Sequence, residues 1–168
     1  MSTTAITKIN QIYIRNFVFG VEDSLVSTVG LLSGVAVAGV ESGTIILTGF
    51  VLICVEAFSM GVGSYLSEDT VDEAMRDKVS ESKSLKGALV MFVSYLISGF
   101  VPLFPYLLSN SSRTIASSVV LTLIALLALG VLSAKLFNIS LIKSSLRMLI
   151  LGGSAIAIGV LVGRFVAI

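Results

Sequence analysis

The sequence predicts an all-α integral membrane protein with five spanning helices, its N-terminus cytoplasmic and its C-terminus outside or lumenal. Three observations carry this reading. Of 168 residues, 55% are hydrophobic and only 12% charged, with a mean hydropathy of +1.04. A soluble domain of that length needs much more polar surface to cover its core. The apolar residues fall into five runs of about 20, the length needed to cross a bilayer core of about 30 Å. The basic residues, finally, lie almost all on one side of those runs.

The five spans are expected at 12–40, 44–66, 87–108, 115–137 and 146–168, together forming one transmembrane domain. The fourth, 115–137, carries a single terminal Lys and is too long and apolar for anything but a spanning or deeply buried helix. The third holds Gly99, Pro102 and Pro105 toward one end, where proline removes backbone donors and is expected to kink or end the helix. The first and fifth carry Gly30 with Gly34 and Gly159 with Gly163, the small-xxx-small spacing that lets helix backbones approach closely. Of the connections, only 67–86 is long enough for structure of its own. The first ten residues lack the pattern of a cleaved signal peptide, so the first span is expected to direct insertion.

With the N-terminus inside, Lys8, Arg15, Arg76, Lys78, Lys83, Lys86, Lys135, Lys143 and Arg147 are cytoplasmic, and only Arg113 and Arg164 lie outside. Nine against two is a strong positive-inside bias. Tyr13, Tyr65 and Tyr106 sit near span ends, and Arg15, Arg147 and Arg164 lie close enough to span ends to snorkel.

Three acids stand inside the spans: Glu22, Asp23 and Glu56. Charge in hydrocarbon is costly, so an ionisable residue there is a functional hypothesis by default. Asp23 and Glu56 each lie about ten residues from the cytoplasmic side, roughly 15 Å deep and at similar height. Gly20, Asp23, Ser27, Gly30 and Gly34 share one helical face, and Gly49, Leu52, Glu56, Met60 and Gly63 share another. Glu22 points about 100° away from Asp23. No Lys, Arg or His is expected at matching depth. The acids could therefore be neutral packing glue, bonded to Ser27, Ser59 or Tyr95, or they could bind and release cations. Oxygen ligands alone suit Mg2+ or Ca2+, and the Met60 thioether shifts the preference toward a transition metal.

Other chemistries are excluded quickly. Without His there is no Ser-His-Asp or zinc-hydrolase site, and Cys54 alone makes no disulfide or Cys/His metal cluster. No phosphate-binding loop occurs, a net charge of +1 gives nucleic acid nothing to hold, and no enzyme is expected.

Residues 20–30, GVEDSLVSTVG, resemble the first-span motif of the vacuolar iron transporter family. Residues 56–67, EAFSMGVGSYLS, are similar to its second-span motif; PLFP at 102–105 and the glycines from Gly152 to Gly163 match weaker elements of the third and fifth spans. The resemblance implies a transporter that moves Fe2+ or Mn2+ out of the cytosol by proton antiport, with the ion as substrate and no permanently bound cofactor. It implies a homodimer whose first two spans line the path, in a cell (inner) membrane or a vacuolar membrane. By position, Asp23 and Met60 match the family's intramembrane metal residues. Ser24 stands where the family usually has Gly. Leu52 stands where it has Glu, with Glu56 one turn later on the same face. The family's long glutamate-rich domain between spans two and three is reduced here to 67–86. An uncoupled cation channel and a non-transporting scaffold remain the alternatives. The expected dimer interface is the Gly30–Gly34 side of the first span.

The short connection has its own pattern. Thr70 to Glu73 reads as a helix-starting capping box. Val71, Met75 and Val79 form an apolar stripe, and Asp69, Glu73, Asp77 and Glu81 an acidic one. That acidic stripe is either a solvated helix face or a weak cytoplasmic metal vestibule.

Overall fold

A bilayer core offers backbone amides no water, so a spanning segment satisfies its hydrogen bonds internally as a helix. The computed structural model describes residues 3–75, 81–109 and 113–166, which form α1 (Thr3–Val37), α2 (Ser42–Met75), α3 (Glu81–Leu108), α4 (Thr114–Phe137) and α5 (Leu141–Val166). All five are long and apolar enough to cross a membrane. The tight turn after α1 passes through Gly39 at φ +78°, and α4 ends on Asn138 at φ 52°. Both conformations are left-handed, which Gly and Asn tolerate best.

Several boundaries differ from the sequence reading. α2 runs on to Met75, so Thr70 opens no helix; its hydroxyl donates back to the Leu66 carbonyl at 2.8 Å, as a mid-helix threonine does. The capping-box reading of Thr70 to Glu73 is thereby corrected. α3 continues through both prolines to Leu108. The Ser118 hydroxyl of α4 donates to the Pro102 carbonyl at 2.6 Å, tying α4 to this stretch. α5 begins at Leu141, five residues before the expected start, which places Arg147 in its second turn.

α1 is the central helix and packs against all four others. α3 fills the space between α1 and α2, which touch each other less, while α5 and α4 cover the other flanks of α1. The interior is polar and small: Ser24, Thr28, Ser33, Ser94, Ser98, Ser118 and Thr122 are buried, while Phe58, Ile97, Ile142 and Phe165 point outward. Lipid accepts apolar side chains as readily as a core does, so close packing of small residues holds the helices together. Apolar clusters still fill two places, one around Leu25, Leu126 and Met148 and one around Leu32, Ile53 and Leu103.

The glycine seam is internal. Cβ atoms added at Gly159 and Gly163 would collide with the carbonyl oxygens of Gly30 and Gly34. A Cβ at Gly30 would lie 3.1 Å from the Ala155 carbonyl oxygen. Gly30 and Gly34 of α1 are therefore packed against α5 of the same chain. Gly153, one helix face away, meets nothing within 4 Å. Gly159→Val is expected to cost about 1–3 kcal/mol by overpacking and to lower the melting temperature in detergent, while Gly153→Val changes it little. Equal melting temperatures for the two variants would show that the seam does not hold α5.

Candidate functional site

Three helices build the site. α1 contributes Asp23 and Ser27, α2 contributes Glu56, and α3 brings Tyr95 in behind them. The approach is possible because Gly99, one turn beyond Tyr95, has no side chain. A Cβ there would lie 2.7 Å from Ile53 Cγ1 and 2.8 Å from Ser24 Oγ, so α1, α2 and α3 converge on this position. Ser24 fixes the contact further by donating to the Tyr95 carbonyl at 2.7 Å.

Asp23 and Glu56 lie within each other's electrostatic field, and both act on the fully buried Tyr95. The Tyr95 and Ser27 hydroxyls share a 2.7 Å hydrogen bond. Among the described residues, no hydrogen bond or ion pair reaches either carboxylate. The packing-glue reading required partners at Ser27, Ser59 or Tyr95, and two of those three are instead bonded to each other. Both acids are half-buried, on a flank of the bundle rather than sealed in its centre.

Glu22 goes elsewhere. It interacts electrostatically with Asp23 and, across the bundle, with Arg147 of α5. The earlier start of α5 carries Arg147 a turn further into that helix than the sequence boundary suggested.

Met60 and Ser59 line a cavity of about 620 Å3 next to the carboxylate pair, on the side of Arg15 and the α2–α3 connection. Its wall also includes Asn16, Ser64 and Met91, and neither Asp23 nor Glu56 belongs to it. Asn16, buried and polar, donates from Nδ2 to Ser64 Oγ at 2.9 Å across α1 and α2. At the mouth, Arg15 forms an ion pair with Glu68, so this arginine bridges α1 and α2 as well as reaching toward the interface. Sequence reasoning passed over Asn16, Ser64 and Met91. The periodicity that puts Asn16 on the face of Gly20 and Asp23 was the available signal.

Of the acidic stripe, Asp69 is half-buried and Glu73 exposed on the last turns of α2. Glu81 opens α3, and Asp77 lies outside the described residues. Among the described residues, no three His, Cys, Asp or Glu side chains converge on a point where they could hold a metal ion. One chain thus offers two carboxylates at mid-span, two hydroxyls beside them, and a thioether-lined cavity adjacent.

Comparison with known proteins matches the sequence of this chain to one family. A model of the VIT family matches residues 14–85 and 68–164. Vacuolar iron transporter homolog 2 of Arabidopsis thaliana is 29% identical over 157 residues, covering 87% of this chain and 80% of the relative. Vacuolar iron transporter homolog 5 of Oryza sativa subsp. japonica is 29% identical over 159 residues, covering 87% and 76%. The vacuolar iron transporter of Centaurea cyanus is 22% identical over 205 residues, covering 86% and 84%. An alignment of 205 residues exceeds this chain's 168, so that relative carries segments this chain lacks. The two pieces of the family match meet over 68–85, where α2 gives way to α3. The chain belongs to the VIT family.

Proposed function

We propose that the chain carries a divalent transition-metal ion, Fe2+ or Mn2+, out of the cytoplasm and exchanges it for protons. One observation carries the reading: Asp23 and Glu56 are held in each other's field at mid-span, with no hydrogen-bond or ion-pair partner among the described residues. A divalent cation between them cancels both charges; protons do the same when it leaves. The names of the vacuolar iron transporters it resembles support iron as a substrate.

The path runs from the Arg15–Glu68 mouth, through the cavity lined by Met60 and Ser59, to Asp23 and Glu56. Ser27 and Tyr95 set the wall behind the carboxylates. Glu22 serves α1–α5 electrostatics with Arg147 and stays outside the path, as do Asp69 and Glu73 on α2.

Metal and protons compete for the same oxygens, so transport weakens as cytoplasmic pH falls. Asp23→Asn keeps the shape of the side chain and removes its charge. In proteoliposomes it is expected to abolish metal flux with the fold intact by circular dichroism. Normal flux would place the site elsewhere, and wild-type flux that ignores a pH gradient would make the protein a channel.

The positive-inside bias sets the direction, with the N-terminus cytoplasmic. A cysteine tag after Ile168 should react with an impermeant maleimide from outside the cell or from the organelle lumen; labelling from the cytoplasm alone reverses the orientation.

The protein acts as a homodimer. Half-exposed carboxylates on a membrane-embedded flank cannot face lipid, and a second copy set against the α1–α2 flank covers them and supplies further ligands. Native mass spectrometry from nanodiscs is expected to give twice the 17.6 kDa chain. A transport-competent monomer would rule this out.

A further inference from the structure

Met60 is not alone in the cavity beside the carboxylates: Met91 of α3 lines it too, with the oxygen-bearing Asn16, Ser59 and Ser64. The Met91 side chain is 4% exposed and is seated against α1 at Gly20, where an added Cβ would come 3.2 Å from its Sδ and 2.9 Å from its carbonyl oxygen. Gly20 thus leaves the room in which the thioether lies between α1 and α3.

Heights along the bundle agree. Gly20 precedes Asp23 by three residues, Met91 precedes Tyr95 by four, and Met60 follows Glu56 by four. Consecutive spans alternate in direction, so all three positions are displaced the same way from the carboxylate layer, by one helical turn of about 5–6 Å. Two soft donors from different helices therefore share one level and one cavity. Leucine or isoleucine would fill an apolar gap equally well, whereas a thioether adds a polarizable lone pair.

We propose that Met60 and Met91 form a two-thioether station where a transition-metal ion is desolvated before it reaches Asp23 and Glu56, and where Mg2+ and Ca2+ are refused. Hard cations prefer oxygen ligands, and Mg2+ gives up its water reluctantly, so sulfur does not compensate it for the loss. Fe2+ accepts sulfur together with the amide and hydroxyl oxygens of Asn16, Ser59 and Ser64. The station rests on the transport reading above and assigns Met91, a residue outside the carboxylate layer, a part in selectivity.

The test uses the full-length chain, purified and reconstituted, with anaerobic Fe2+ as probe and Mg2+ as competitor. Iron K-edge absorption on the wild-type chain, loaded at low iron, is expected to show two sulfur neighbours; one or none overturns the pair without any variant having to fold. Met91→Leu and Met60→Leu preserve volume, and each should remove one sulfur neighbour. Each should also lower the Mg2+ concentration that halves Fe2+ flux, by roughly threefold to tenfold. Met148→Leu, in the separate cluster with Leu25 and Leu126, is the control and should do neither. If Met91→Leu matches that control in both readouts, the proposal is wrong. Wild-type protein that binds and moves Fe2+ through oxygen ligands alone defeats the station and spares the transport reading. A wild-type chain that binds no Fe2+ defeats both.

Discussion

Asp23 and Glu56 repel each other, and they do so where water is not at hand to screen them. They come from different helices, so only the packing of α1 and α2 on α3 keeps them in each other's field. A charge at the centre of a spanning helix costs roughly 2.5–3.5 kcal/mol on insertion scales. A fold whose role was structural could shed most of that cost with two uncharged side chains. This one instead spends Gly99, Ser24 and Tyr95 on bringing the three helices together at that level. Ser24, Ser27 and Tyr95 are bonded to one another, and the two carboxylates have no hydrogen-bond or ion-pair partner among the described residues.

The rest of the bundle is a frame for that contact. α1 carries Asp23 and is held about two to three turns further along the same face by α5, through the Gly30, Gly34, Gly159 and Gly163 seam. Backbone-to-backbone packing of this kind leaves little freedom for a helix to rotate, so these glycines fix the direction in which α1 presents that face. α2 has no such clamp. It rests on α3, touches α1 lightly, and contacts neither α4 nor α5. If any helix moves during a transport cycle, the packing singles out α2, whose ties to α1 among the described residues include the Asn16–Ser64 hydrogen bond and the Arg15–Glu68 ion pair. Both are polar contacts that water can replace near a membrane surface.

Polarity also changes in a definite order along the proposed path. At the mouth stand full charges, Arg15 and Glu68; next come neutral amide and hydroxyl groups with two thioethers; then the carboxylate pair. An ion following the proposed route would meet water, then soft and neutral donors, then compensating charge. The VIT family match spans residues 14–164 of this chain, all five helices included, while a relative such as the Centaurea transporter aligns with additional residues.

Much of this was legible in the residues themselves. Five apolar runs predicted five helices because a bilayer leaves the backbone no other choice, and the motifs around Asp23 and Met60 resembled those of the family to which the chain belongs. Helical periodicity also placed Asp23 with Ser27 and Glu56 with Met60, since faces follow from spacing alone. What periodicity cannot say is which face meets which helix. The Gly30–Gly34 face had the signature of an association surface, and it is one; that its partner is α5 of the same chain was decided by tertiary packing. The depth of Arg147 depended on where α5 begins, and a polar start such as Ser140 to Lys143 does not reveal from composition alone whether it is loop or helix. Met91 carries no signal of its own in the sequence; folding set it in the wall of the same cavity as Met60. The sequence by itself determined that charge enters the membrane, because insertion is a property of each segment; only the tertiary structure decided which charges meet, because helix-to-helix contacts join residues far apart along the chain.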